Sequence, residues 1–165
     1  SKILNTIMNL EHRGYQFEAA DGSFELMVKD TIGIKKQFFV LESFRVLNEK
    51  RADGLMVSEA TVKIYINDKR INETAEGDGP VHALDCAIRK ALKGFYPELE
   101  KIKLTDFKVR VLDEKQGTGA VVRVLIESTD GIKNWGTIGV SENIIEASWQ
   151  ALEDSIVYGL MHIKK

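Results

Sequence analysis

"ATVKIYI" (residues 60–66) and "AVVRVLI" (residues 120–126) are two versions of one strand, sixty residues apart. Holding that offset aligns Lys63 with Arg123, Ile64 with Val124 and Ile66 with Ile126, and further on Gly79 with Gly139, Ala87 with Ala147, Ala91 with Ala151 and Leu92 with Leu152. Upstream, "RVLNEK" (residues 45–50) returns as "RVLDEK" (residues 110–115), the difference in offset falling in a turn between the first and second strand. The chain therefore carries two copies of one unit.

Each copy has the same order of patterns. A first strand, near Phe38–Glu49 and Lys103–Glu114, alternates Val and aromatic residues with charges, as a sheet with one wet face requires. A second strand follows Gly54 or Gly119, and a shorter third ends near Ala75 or Thr137. The segments "INDKR" and "ESTDG" carry the Asn, Asp and Gly of hairpin turns. A helix closes each unit, near Pro80–Lys93 and Ser141–Ile163, with Ser141 placed to cap the second. The expected fold is α+β: two pseudo-symmetric βββα units, 36–98 and 99–165, whose helices cover antiparallel sheet. Residues 1–35 break the repeat and read as a small helical subdomain. "KILNTIMNLEHRG" is an amphipathic helix ended by Gly14, and "DGSFELMVKD" a second helix capped by Asp21 or Ser23.

The chain of 165 residues suffices for one sound core or two small ones without staples. With 23 basic and 25 acidic side chains there is no basic excess to bind nucleic acid, and no polybasic run to bind a membrane surface. No stretch is apolar for long enough to span a bilayer, and no signal-peptide pattern opens the chain. Cys86 stands alone, which fits a reducing compartment, and it reads as a small packed side chain. A start at Ser1, without methionine, reads as a piece of something longer.

Chemistry is sparse. His12, His82 and His162 stand far apart, without metal-ligand spacing or a second cysteine, and no serine sits in a nucleophile elbow. Glu73, Glu76, Asp78 and Asp85 crowd one region and read as a solvated acidic face. The exception is "AEGDGPVHALDCAIRKAL" (residues 75–92), a glycine loop that opens a helix, with Pro80 at its first position. It lacks the Gly-Lys-Ser/Thr of a Walker loop and the third glycine of a dinucleotide fingerprint, and no Lys or Arg lies within it to offset a phosphate. Helix N–H groups for a carboxylate and Asp78 for an ammonium fit a zwitterion. A glycine-proline helix start with no ligand fits these residues equally well. The matching "WGTIGVSE" (residues 135–142) reads as a second glycine-led helix start.

Several long motifs carry a resemblance across essentially the whole chain. "GYQFEAADGSFELMVKD", "ESFRV", "SEATVKI", "AEGDGPVHALDCAIRKAL", "DFKVRVL" and "WGTIGVSENIIEASWQALEDSI" resemble the C-terminal part of (R)-citramalate synthases, relatives of 2-isopropylmalate synthases. The resemblance implies a linker subdomain followed by a regulatory, dimerising domain, detached from a cytoplasmic acyltransferase. The parent's barrel would condense acetyl-CoA with pyruvate using a divalent metal. This chain would hold no cofactor and catalyse nothing alone. It would bind a branched-chain amino acid near the interface of a homodimer, isoleucine on the citramalate branch and leucine on the isopropylmalate branch. Carried over by motif, the effector contacts are Asp78, Gly79, Val81 and His82 at the loop, Leu104, Phe107 and Val111 on one strand, Thr118, Ala120 and Val122 on its neighbour, and Val140 at the second glycine turn. Strand parity independently puts Phe107, Val109 and Val111 on one face, as it does Thr118, Ala120 and Val122. Phe107 stands where related proteins often carry Tyr. The alternatives are a leucine-binding isopropylmalate module and a purely structural dimerisation module.

Overall fold

In a computed structural model that describes residues 1–112 and 120–163, every element of the duplicated pattern is present. The elements are α1 (Lys2–His12), α2 (Asp21–Thr31), β1 (Val40–Lys50), β2 (Met56–Ile66), β3 (Lys69–Gly77), α3 (Pro80–Leu92), a 3₁₀ turn (Pro97–Lys101), β4 (Lys103–Val111), β5 (Val122–Thr129), β6 (Asn134–Ser141) and α4 (Ile144–His162). They form two antiparallel sheets, ordered β1-β2-β3 and β4-β5-β6. The fold is α+β with two βββα units, as the patterning requires. The expected end of the fourth strand at Glu114, and Gly119 before the fifth, lie outside the described residues.

Contacts divide the chain into two bodies. The first unit is Gln37–Glu100, and the second joins Ser1–Lys36 to Lys101–Lys165, so the N-terminal helices pack with β4–β6 and α4. In the first unit, Ala60, Val62 and Ile64 of β2 are sealed from solvent, as are Ala83, Leu84, Ala87, Ile88 and Leu92 of α3. Tyr96 closes that core by donating its hydroxyl to the Phe38 carbonyl at 2.7 Å. In the second unit α4 lies on β5 and β6. There Trp135 donates its indole N–H to the Ser155 carbonyl at 3.1 Å and Thr137 its hydroxyl to the Ala151 carbonyl at 2.6 Å.

Strand pairing gives the register of the repeat. Ala60 faces Ala75 in the first sheet, and Val124 faces Gly139 in the second, around hairpins centred sixty-four residues apart. The offset of sixty read from the sequence is therefore four residues short for β2, β3 and α3. The true offset matches Ala83, Ala87 and Ile88 with Ala147, Ala151 and Leu152, all buried. Both sheets also carry a bulge at one place, between Leu41 and Ser43 and between Leu104 and Asp106.

Three local expectations are corrected by this register. The third strand of the second unit does not stop near Thr137 but runs on to Ser141. Gly136 and Gly139 lie within it, where a Cβ would overlap the carbonyl oxygens of Ala19 and Ala147. These glycines admit neighbouring backbone; they do not make a turn. The helix that follows is capped by Asn143 rather than Ser141, its Oδ1 accepting from Ile145 N–H at 2.8 Å and Glu146 N–H at 3.2 Å. In α2 the N-cap is Ala20, and no side chain caps it. Asp21 instead accepts from Gly136 N–H at 2.8 Å, and the Ser23 hydroxyl accepts from Ile138 N–H at 2.9 Å while donating to Asp154 at 2.7 Å. Gln150 completes the row by accepting from Val140 N–H at 3.0 Å and from the Tyr15 hydroxyl at 2.7 Å. Side chains thus occupy three outward N–H groups of the edge strand β6.

The face of the second sheet turned away from α4 is also covered. Ile138 and Val140 form a cluster with Ala20, and Tyr15, Phe17, Leu112, Val121 and Leu125 pack against it. Arg123 sits on this face almost fully buried, donating to the Gly14 carbonyl at 2.9 Å and to Gln16 Oε1 at 3.1 Å. Gly14 ends α1 with a positive φ of 107°, a left-handed conformation that glycine adopts without strain.

Candidate functional site

Two features hold nearly all the residues marked out by the sequence: the start of α3 in the first unit and one face of β4–β5 in the second.

β3 runs into α3 through Gly77, Asp78 and Gly79. A Cβ on Gly77 would collide with the backbone of His82 and Ala83, so the strand meets the first helical turn only because this residue has no side chain. Gly79 is the N-cap, extended at φ −160°, with open space where a Cβ would lie. Pro80 begins the helix and no side chain supplies a cap bond. The N–H groups of the first turn point outward with the partial positive charge of the helix end. His82 folds back over the loop, its Nδ1 accepting from Asp78 N–H at 2.9 Å and lying 3.5 Å from the Asp78 carboxylate. That carboxylate is fully exposed. Uncapped N–H groups beside an exposed carboxylate match the two ends of a zwitterion.

The neighbouring acids are not free to join in. Glu73 is 3.5 Å from Lys90, and Asp85 is held by Arg89 at 2.8 Å. Toward the other end of α3, Lys90, Lys93, Tyr96, Leu99 and Glu100 help line a groove of about 550 Å³, which contains none of the expected contacts. Among the described residues no three His, Cys, Asp or Glu side chains could hold a metal ion, and no helix is long and apolar enough to cross a membrane.

On β4, Phe107, Val109 and Val111 face the same way and remain 36%, 41% and 43% exposed. Their partners are Ile126, Val124 and Val122, of which Ile126 and Val124 are buried. Strict alternation would turn Leu104 to the opposite face from Phe107. The bulge after Leu104 inserts one residue, so that Leu104 opposes Ser128 while Phe107 opposes Ile126, on the same side as each other. The structure thus puts Leu104, Phe107, Val111 and Val122 on one face of the sheet, spread along β4, with Val109 completing the row. Val109 carried the right alternation in the sequence but no motif to mark it. Ala120 is buried just before β5. Thr118 lies outside the described residues. Val140, expected at a glycine turn, lies within β6 opposite Arg123, on the sheet face covered by Tyr15 and Phe17.

Charged groups enter the second unit elsewhere. Asp154 on α4 is enclosed by α2, and burial pushes its carboxyl up to about 6 against the opposing Ser23 hydrogen bond. Burial also raises Glu153. Glu25 on α2 bonds Lys29 at 3.1 Å and the His162 imidazole, and these partners hold its carboxyl below the usual range despite partial burial. The Asp154–Ser23 and Glu25–His162 bonds fasten α2 to α4, and all these groups lie outside both candidate features.

The model of the LeuA allosteric (dimerisation) domain matches residues 18–160. Among curated proteins, the (R)-citramalate synthase of Aquifex aeolicus is 53% identical over 97% of this chain, and that of Geobacter sulfurreducens 53% over 96%. The 2-isopropylmalate synthase of Aquifex aeolicus is 33% identical over 84%. The chain spans 30% of the length of the first two and 26% of the third.

Proposed function

We infer the function from one premise: the chain belongs to the LeuA allosteric (dimerisation) domain family. It is the non-catalytic feedback module of a citramalate synthase. It dimerises, binds a branched-chain amino acid, isoleucine in first place, and inhibits the acyltransferase barrel of its parent. The observation that carries the choice of branch is the gap between 53% identity to a citramalate synthase and 33% to an isopropylmalate synthase of the same organism. The uncapped start of α3 supports a ligand carboxylate on the backbone N–H groups that follow Gly79, those of Val81 and His82, and the exposed Asp78 carboxylate beside them supports a ligand ammonium. The half-exposed row of Phe107, Val109 and Val111 supports an apolar interface with a second copy of the chain.

Isoleucine and leucine are isomers with nearly the same apolar area, so area burial at about 25 cal/mol per Å² does not separate them. Shape must, and one misplaced methyl is worth about 1–3 kcal/mol, roughly ten- to two-hundred-fold. Inhibition is then a coupling free energy between the amino-acid site and the barrel, reciprocal by linkage and carried by the N-terminal helices. Calorimetric titration of the chain with isoleucine, leucine and valine tests this, with isoleucine expected to bind tightest. No heat and no thermal shift with any of the three would sink the effector reading. Tightest binding of leucine would move the chain to the isopropylmalate branch.

A further inference from the structure

The imidazole of His82 has two partners that compete for one nitrogen. Nδ1 lies 2.9 Å from the Asp78 backbone nitrogen and 3.5 Å from the Asp78 carboxylate. A backbone N–H can only donate, so the observed bond requires an Nδ1 without a proton. A proton placed there would end that bond and turn the same nitrogen into a donor toward the carboxylate. His82 is the third helical residue after the Gly79 cap, the position from which a capping-box side chain reaches back to the loop. Here the reach ends one residue earlier, at Asp78, and it orders the loop while leaving the first-turn N–H groups of α3 unoccupied.

We propose that His82 is a positioning residue, which holds the Asp78–Gly79 loop in its ligand-ready shape by accepting the Asp78 N–H at Nδ1 and lets it go on protonation. The proposal rests on the effector reading above and adds to it a proton dependence of amino-acid binding. Few other charges face this ring. The helix-facing strand positions at this end are Asn48, Ser58 and Gly77, none of them ionisable, and beyond them Lys50, whose ammonium is bonded to the Gly54 carbonyl at 2.9 Å. On α3 the next turn brings Asp85, already held by Arg89, and Cys86, whose thiol is pushed up by burial. Glu76 on β3 sits one residue from Gly77 and so takes the opposite face of the sheet. Asp78 is therefore the ionic partner that takes over when Nδ1 gains a proton.

The test pairs a ligand-free readout with a binding one. Nitrogen chemical shifts of the imidazole should show neutral His82 with its proton on Nε2. The Asp78 amide should be protected from exchange in the 165-residue chain and lose that protection in His82→Ala. Isoleucine affinity should fall about five- to tenfold in His82→Ala, the worth of one hydrogen bond, and stay within about twofold in His82→Asn, whose Oδ1 replaces Nδ1 as acceptor. Wild-type affinity should decline on acidification, and the Asn variant should show a flatter profile. His82 is half exposed, so the variants should fold, which a thermal melt checks. A neutral imidazole protonated on Nδ1, or an Asp78 amide equally protected in His82→Ala, overturns the proposal without any ligand. Wild-type binding matched by His82→Ala at every pH overturns it while the effector reading stands. No binding by the wild type overturns the effector reading, and the amide and imidazole measurements still decide the loop.

Discussion

The two βββα units differ most on the sheet face opposite their helix. In the first unit that face carries Glu59, Thr61 and Lys63 on β2 and Asn72, Thr74 and Glu76 on β3. The corresponding positions of the second unit are Arg123, Leu125 and Glu127, then Gly136, Ile138 and Val140. Replacing Thr and Glu by Leu, Ile and Val turns a polar face into an apolar one, and residues 15–20 lie over it. One copy of the unit is a two-layer structure of helix and sheet, and the other has acquired a third layer. The difference reaches the helices. Lys90 of α3 stays half exposed, bonded to the Thr74 carbonyl at 3.1 Å, while its counterpart Asp154 is enclosed by α2. A duplicated backbone tolerates opposite environments at one position, provided the side chain changes with them.

The sharpest way to break the comparison is at Gly139, whose counterpart Ala75 already carries the methyl group that Gly139 cannot. Gly139→Ala should push the first turn of α4 off β6 and cost about 3 kcal/mol, whereas Ala75→Gly should cost about 0.5–1 kcal/mol. Denaturant unfolding of both variants measures the contrast. Ser23→Ala comes next. It leaves Ile138 N–H and Asp154 without their shared partner and should cost about 2 kcal/mol, with hydrogen exchange at Ile138 rising first.

Asp154→Asn works in the opposite direction and depends on pH. A carboxyl raised to about 6 in the folded chain favours folding while it is protonated, and that contribution is lost as pH rises through about 6. At pH near 7.5 the ionised group is a burden of about 3 kcal/mol, so the amide should raise the melting temperature there and change little at pH near 4. Melting curves across that range decide it. The smallest effects belong to the helix starts. Asn143→Ala should cost about 1 kcal/mol, and Gly79→Asn should add about 0.5 kcal/mol by supplying the cap that α3 lacks. The second change should also weaken the proposed isoleucine binding, since the new side chain would occupy the N–H groups proposed for the ligand.

Much of this architecture is legible in the residues. Alternation and turn chemistry mark all six strands, and in the Asn67–Asp68 hairpin both residues adopt positive φ, as a two-residue turn requires. The register of the repeat is hidden for a physical reason. A slip of four residues preserves strand parity and is close to one helical turn, and alanines at 83, 87, 91, 147 and 151 match equally well either way. The glycines of β6 mislead because a residue that admits a neighbouring backbone looks, in sequence, like one that makes a turn. Asp21 and Ser23 have the chemistry of caps, but the N–H groups they satisfy belong to β6, more than a hundred residues away. At the candidate site, alternation groups Phe107, Val109 and Val111 correctly. Leu104 joins them only through a bulge that no residue pattern announces.

The row formed by Asp21, Ser23 and Gln150 has a consequence for aggregation. An edge strand with free amides is a template onto which another chain can add, and a fibril grows by repeating that step. With the amides of Gly136, Ile138 and Val140 taken up by side chains, β6 offers an arriving strand few bonds to form. Two of those three side chains belong to α2, so a fluctuation that lifts this helix uncovers the template. Resistance of the folded chain to fibril growth from this edge therefore depends on how firmly one eleven-residue helix is held.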